Sequence, residues 1–304
     1  MKVVAMPPRH VLAATAVMVV WGLNFVVIDK GLDGVPPLVF VALRFLVVAL
    51  AVPFVARPDV PWSSLAAVGA AMSLGQFGLL YTSLAVGMPP GLASLVLQTQ
   101  AILTVLIAAL VLAERPATVQ VAGVGIGLLG LTVVALGRGG QVPALALVLC
   151  LAAAASWAIG NVLVRRLAIR GGLGVTVWSG LVVPVPLLAL SAVIDGPDEV
   201  ARALTHLSAV NWASTAYTAL LASLIGYSLW NWLLAQHPAS TVAPFTLLVP
   251  AVGMALAWIV DGERPGVPGA IGGALLVLGV ALVSVGPRLL QRARWPRAAA
   301  TESG

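Results

Sequence analysis

The tetrapeptide Ala113-Glu114-Arg115-Pro116 returns as Gly262-Glu263-Arg264-Pro265, 149 positions further on. At the same offset Gly123 meets Gly272, Gly130 meets Gly279 and Pro89 meets Pro238. Upstream, Trp21-Gly22-Leu23-Asn24 is echoed by Trp157-Ala158-Ile159-Gly160-Asn161 at an offset of 136 to 137. The difference between the two offsets fits a longer connection around Asp195–His206 in the second copy. The chain reads as a duplicated unit.

What is duplicated is apolar. A bilayer core of about 30 Å needs about 20 apolar residues in helix. Ten such stretches can be drawn: residues 10–28, 36–55, 63–86, 91–113, 117–137, 142–164, 173–194, 208–235, 240–260 and 267–286. Turn formers separate them, among them Asp33-Gly34 before Pro36-Pro37, Met88-Pro89-Pro90 and Arg138-Gly139-Gly140. The expected fold is therefore all-α and membrane-integral, ten helices with short loops and antiparallel neighbours. Residues 1–140 form the first five-helix repeat, 141–287 the second, and 288–304 a basic tail. Five is odd, so the second unit crosses in the opposite sense. An inverted repeat of this kind can exchange two conformations about a site near the midplane, which is the logic of alternating access.

Composition agrees. Of the 304 residues 61% are hydrophobic and 9% charged, with a mean hydropathy of +1.07. Soluble domains carry about 25% charged residues, so the solvent here is lipid. The net charge of +6 does not point to nucleic acid, because Arg288, Arg292, Arg294 and Arg297 directly follow an apolar segment, as in a membrane-surface tail. With the N-terminus inside, eleven Lys and Arg fall on the inner side (Lys2, Arg9, Arg57, Arg115, Arg165, Arg166, Arg170 and the four tail arginines). Four fall outside: Lys30, Arg138, Arg202 and Arg264. This asymmetry places both termini in the cytoplasm. Lys2 and Arg9 ahead of the first apolar run superficially resemble a signal peptide, but no small-residue cleavage site follows, and a retained first helix is expected. The lone Cys150 excludes an intrachain disulfide and reads as a small core residue.

Polar side chains in hydrocarbon are expensive and face a cavity or a partner helix. The candidates are Asn24, Arg44, Gln76, Tyr81, Gln98, Gln100, Asn161, Tyr227 and Asn231, with Trp21, Trp157 and Trp230 beside several of them. Amides and phenols both donate and accept, which suits a zwitterion or another uncharged polar solute, and the aromatic rings could hold its apolar part. The alternative is interhelical hydrogen bonding with aromatic packing. Gln98 and Gln100 lie two apart, so one of them at most is expected to face the cavity. Arg44 stands about 12 Å into its helix, near mid-membrane. It either attracts a substrate carboxylate or clamps helix-end carbonyls.

Other chemistries are not encoded. No Asp or Glu lies deep in the ten stretches, and His10, His206 and His237 fall at helix ends, so no proton carrier can be assigned. Gly125-Ile126-Gly127-Leu128-Leu129-Gly130 matches the dinucleotide fingerprint but lacks the preceding strand and the later acid. With Gly123, Gly269 and Gly273 it reads as close helix packing. No catalytic triad or metal cluster is spaced for use. Neither enzyme activity, nor a cofactor, nor a metal is expected.

The stretches VVWGLNFVVI (19–28), LRF (43–45), GMPPGLASLVLQTQ (87–100), ERP (114–116), SWAIGN (156–161) and LLVPAVGMALAWIVDGERP (247–265) resemble the EamA-type exporters of the drug/metabolite transporter superfamily. The likeness runs the length of the chain and is nearest to bacterial exporters of cysteine, O-acetylserine and aromatic or other neutral amino acids. It implies a bacterial inner-membrane protein that exports neutral amino acids and related metabolites. It also implies a central cavity lined by helices 1, 3, 4, 6, 8 and 9. Mapped here, that cavity includes Trp21, Asn24, Gln76, Tyr81, Gln98, Trp157, Asn161, Tyr227 and Trp230. The four-helix multidrug members carry a glutamate in their first helix; neither half has one here, which speaks against proton-coupled cation efflux. Pro244 and Pro250 are expected to bend helix 9. A drug, sugar phosphate or nucleotide sugar is the competing cargo, and phosphorylated ones would ask for more cavity cations than Arg44 alone. The duplicated halves already mimic a dimer, so a monomer is expected; a stable dimer mass by light scattering would contradict it.

Overall fold

A computed structural model describes residues 7–111, 116–137, 142–167, 172–236, 245–246, 248–262 and 266–282. Most of the repeated Glu-Arg-Pro motif, the basic tail, His237, Pro244 and the Asn231 side chain therefore lie outside the described residues. Helices account for the framework and no strand occurs among the described residues. In chain order they are α1 (Pro8–Gly31), α2 (Pro37–Phe54, its last turn 3₁₀), α3 (Trp62–Ala85) and α4 (Pro90–Val111). Next come α5 (Thr118–Gly137), α6 (Ala144–Arg166), α7 (Gly172–Gly180), α8 (Pro184–Ile194) and α9 (Pro197–Thr205). A long α10 covers residues 209–236, and α11 (Leu248–Asp261) and α12 (Val267–Leu282) follow.

Proline starts many of these helices. It stands in the first turn of α1, α2, α4, α8 and α9, where its missing N–H is one the helix could not have bonded and its φ is already helical. Pro250 behaves the same way. It falls in the first turn of α11, so among the described residues it begins that helix and does not bend it. Between α3 and α4 the chain reverses at Gly87, whose φ of 97° is accessible to glycine and strained for residues with a Cβ.

Among the described residues, five helices are long and apolar enough to cross a membrane: α1, α2, α3, α4 and α6. The α7–α8 pair makes a sixth if its 41° bend is counted within one span. Their outer faces carry Leu50, Leu110 and Val193, exposed by 72%, 85% and 83%, a surface that only lipid satisfies. Residues 195–206, expected to be a connecting loop, instead contain α9. Pro197 opens it, Asp198 and Glu199 sit at the positive end of its dipole, and Arg202 pairs with Glu199 one turn on.

The interior is organised around α2, which buries Phe40, Arg44, Phe45 and six of their neighbours and packs against α3, α8 and α10. Elsewhere α1 packs on α10 and α11, while α6 packs on α3 and α4. Asn211 ties the start of α10 to the end of α1: it closes a capping box with Ser208 and donates to the carbonyls of Gly31 and Asp33, both at 3.0 Å.

Two stretches are wound as π-helix, Ala70–Gly75 within α3 and Tyr217–Ile225 within α10. A π-segment breaks the regular ladder and frees carbonyls, which in hydrocarbon must find another donor. Ser156 of α6 donates to Ala71 O at 2.8 Å, and Trp21 of α1 donates to Ala222 O at 2.9 Å. Trp21 opens the first copy of the early repeated motif and Ser156 directly precedes the second, so each copy lies against a π-segment.

Candidate functional site

The π-segments border a cavity of about 410 Å³, within the range of small-molecule sites. Arg44, 2% exposed, lines it. The guanidinium lies 4.0 Å from the Phe77 ring centroid. Nε and Nη2 donate to Ser223 Oγ at 3.2 and 2.9 Å, and Nη1 donates to Tyr81 Oη at 3.0 Å. Ser223 can accept both because its own hydroxyl hydrogen goes to Thr218 O, five residues back along the π-segment. These bonds use three of the five N–H donors of an arginine. No carboxylate among the described residues forms an ion pair with Arg44, and none lines the cavity.

An aromatic wall lines the same cavity. Trp21 is 5.3 Å from Tyr227 and 5.5 Å from Trp230, ring centroid to centroid, with both pairs tilted. Its indole N–H is held by Ala222, the residue before Ser223, so the wall and the cation hang from adjacent residues of α10.

Amides fill the remainder. Gln98 Nε2 donates to Thr246 O at 2.9 Å, and Asn161 Nδ2 donates to Gln100 Oε1 at 3.1 Å and Thr104 Oγ1 at 3.3 Å. Asn24, one turn above Trp21 on α1, is buried with its Oδ1 unpartnered.

Of the sequence-predicted residues, the cavity wall contains Trp21, Asn24, Arg44, Gln76, Gln98, Trp157, Asn161, Tyr227 and Trp230. Tyr81 is not in it: fully buried, it stands behind Arg44 as a hydrogen-bond partner. Both Gln98 and Gln100 line the cavity, against the expectation of one at most. The reason is local. α4 is broken at Leu97–Gln98, and the amides of Gln98, Gln100 and Ala101 bond three residues back. Such 3₁₀ winding puts residues two apart about 120° from each other around the axis, against about 160° in an α-helix. Sequence reasoning missed Ser223 and Phe77. Their one sequence clue is the duplication, which sets Ser73 beside Ser223 and Phe77 beside Tyr227 at an offset of 150.

An apolar-skinned helical bundle around a cavity with one buried cation, an aromatic wall and several amides defines a membrane transporter of small molecules. Residues 9–136 and 144–285 each match the EamA-like transporter family, and the chain belongs to that family. It is 39% identical over 288 residues to a Salmonella typhimurium protein named "Probable amino-acid metabolite efflux pump", covering 92% of this chain and 96% of the relative. An Escherichia coli K12 protein of the same name is 39% identical over 83% of this chain and 86% of its own. A Streptantibioticus cattleyicolor protein named "Probable terminal-alkyne amino-acid exporter" is 31% identical over 91% of this chain and 93% of its own. A crystal structure of a protein 22% identical in sequence shares the fold, with a TM-score of 0.62 over 93% of this chain and 98% of that one.

Proposed function

We propose that this chain exports amino acids and related small metabolites by alternating access around the cavity at Arg44. The observation that carries the reading is a buried guanidinium with no carboxylate partner among the described residues, facing a cavity with an aromatic wall. A buried cation without a counter-ion is costly. A substrate carboxylate supplies the counter-ion, and the aromatic rings accept an apolar side chain. The names of the relatives point to the same cargo.

The architecture is ten spans in a five-plus-five inverted repeat, with both termini in the cytoplasm of a bacterial inner membrane. The halves are 1–140 and 141–287, with 288–304 as a cytoplasmic tail. The α5, α10, α11 and α12 stretches add the four spans beyond the six counted by length and apolarity. Reciprocal contacts support the two-fold relation. Gly130 approaches the Gly272 carbonyl while its repeat mate Gly279 approaches the Gly123 carbonyl. The cavity lining reaches Gly172, Val175 and Thr176 at the start of α7, beside the corner at Ala56–Pro58. In this orientation that end faces the cytoplasm, so the conformation is inward-open. Single cysteines at Pro58 and Gly196 are expected to label only from the inside and only from the outside, respectively. Labelling of both from one side would overturn the topology.

The function is tested by counterflow of a panel of labelled protein amino acids into proteoliposomes holding the purified chain, with and without a pH gradient. Accumulation driven by trans amino acid alone is the expected result. If no amino acid moves under either condition, the reading fails.

A further inference from the structure

Asn24 lines the cavity, and its side-chain oxygen is left without a partner. Resting on the amino-acid reading above, we infer that Asn24 Oδ1 is the acceptor for the substrate's α-ammonium group. Together with Arg44 it makes this a site for zwitterions, selective against carboxylates that lack an amino group.

Asn24 Oδ1 is buried with no hydrogen-bond partner, and its residue is 9% exposed. A buried acceptor left unmade is costly, so its retention asks for a donor that arrives. Two such atoms exist among the described side chains, and the other, Thr215 Oγ1, is not part of the cavity wall. Of the neighbouring amide oxygens, Gln100 Oε1 already accepts from Asn161.

Depth also matches. The α1 end at Gly31 abuts the Phe40 ring of α2. From there Asn24 lies seven residues back along α1, about 10 Å, and Arg44 four residues on along α2, about 6 Å. The two poles thus sit within about one helical turn of each other in depth. Trp21, one turn from Asn24 on the same face, is anchored to Ala222 while Arg44 is anchored to Ser223. The cation and the indole one turn from the orphan acceptor are therefore held by one short stretch of α10. A carboxylate on Arg44 and an ammonium on Asn24 would leave the side chain of an α-amino acid at the Trp21, Tyr227 and Trp230 rings. No acid among the described residues lines the wall, so a neutral acceptor carries the ammonium end.

The probes are the best-carried amino acid of the counterflow panel and its two one-pole analogues, the same acid without its amino group and the same amine without its carboxylate. Both compete with the labelled amino acid for the full-length protein. In the wild type each analogue is expected to compete at least tenfold more weakly than the parent. Asn24→Leu, close in volume, is expected to weaken the parent about tenfold and leave the deaminated acid unchanged, so that their ratio collapses toward one. Asn24→Asp, which keeps the shape and adds charge, is expected to widen the ratio and to strengthen the amine. It serves if the leucine variant does not fold. A ratio unchanged in both variants, with transport intact, overturns the role of Asn24 and leaves the transport reading standing. A wild type that carries no amino acid overturns both.

Discussion

Arg44→Gln is expected to reduce amino-acid counterflow at least 100-fold while the protein still folds and inserts. Glutamine keeps most of the length and can still bond to Ser223 or Tyr81, but it brings no charge. Removing one partner of a buried charge-assisted pair costs about 3 to 5 kcal/mol, and about 2.8 kcal/mol already amounts to 100-fold in affinity. Stability should move the other way or not at all. Arg44 is a cation buried to 2% exposure with no carboxylate of its own to pair with among the described residues. Taking it away relieves a desolvation cost in the empty protein. Size-exclusion yield and thermal unfolding in mild detergent, read beside counterflow, separate the two roles the residue could have. Full transport by Arg44→Gln would sink the carboxylate assignment. Loss of folded protein would show instead that the hydrogen bonds to Ser223 and Tyr81 are structural clamps.

Gly279→Val is expected to be the most destabilising single change outside the cavity, by about 3 kcal/mol. Gly279 on α12 and Gly127 on α5 meet where two helix backbones touch. A Cβ on Gly279 would lie 2.6 Å from the Gly127 nitrogen and 2.7 Å from the Gly123 carbonyl oxygen. Neither obstacle is a side chain that can swing aside, so the helices must part. Overpacking of this kind costs about 1 to 3 kcal/mol, and parting the helices forfeits the close packing that holds membrane helices together in place of a hydrophobic drive. An internal control lies in the same glycine-rich motif: a Cβ on Gly125 meets nothing within 4 Å, so Gly125→Val should change stability by no more than about 0.5 kcal/mol. Chemical unfolding of both variants in detergent checks the pair. Equal stability of the two would mean that α5 and α12 do not cross at these glycines.

The glycine case shows how far sequence periodicity reaches. Gly125, Gly127 and Gly130 look alike within one GxGxxG run, and the duplication pairs Gly130 with Gly279. Only the packed bundle distinguishes the glycine that faces open space from those pressed against another backbone. Asp195–His206 makes the same point in reverse. Its polar composition reads as a connection, whereas a proline start and two acids at the positive end of the dipole wind it into α9.

By itself the sequence determined the solvent, the all-helical class, the duplicated unit and most of the residues that end up around the cavity. Each of these rests on a property that is local or additive: the transfer free energy of about 20 consecutive side chains, the scarcity of polar groups among them, and repeated motifs at a constant offset. Tertiary structure alone decided which polar groups are satisfied. Arg44 and Ser223 are 179 positions apart, Trp21 and Ala222 are 201 apart, and the rotation of α4 at Gln98 follows from a broken turn. That decision leaves Tyr81 behind the guanidinium, brings both glutamines to the wall, and strands the Asn24 oxygen without a partner. The physical reason is that hydrocarbon offers no water to absorb a misplaced polar group. Whether a given side chain supports a neighbour or waits for a ligand is therefore set by which helices touch and how they are turned.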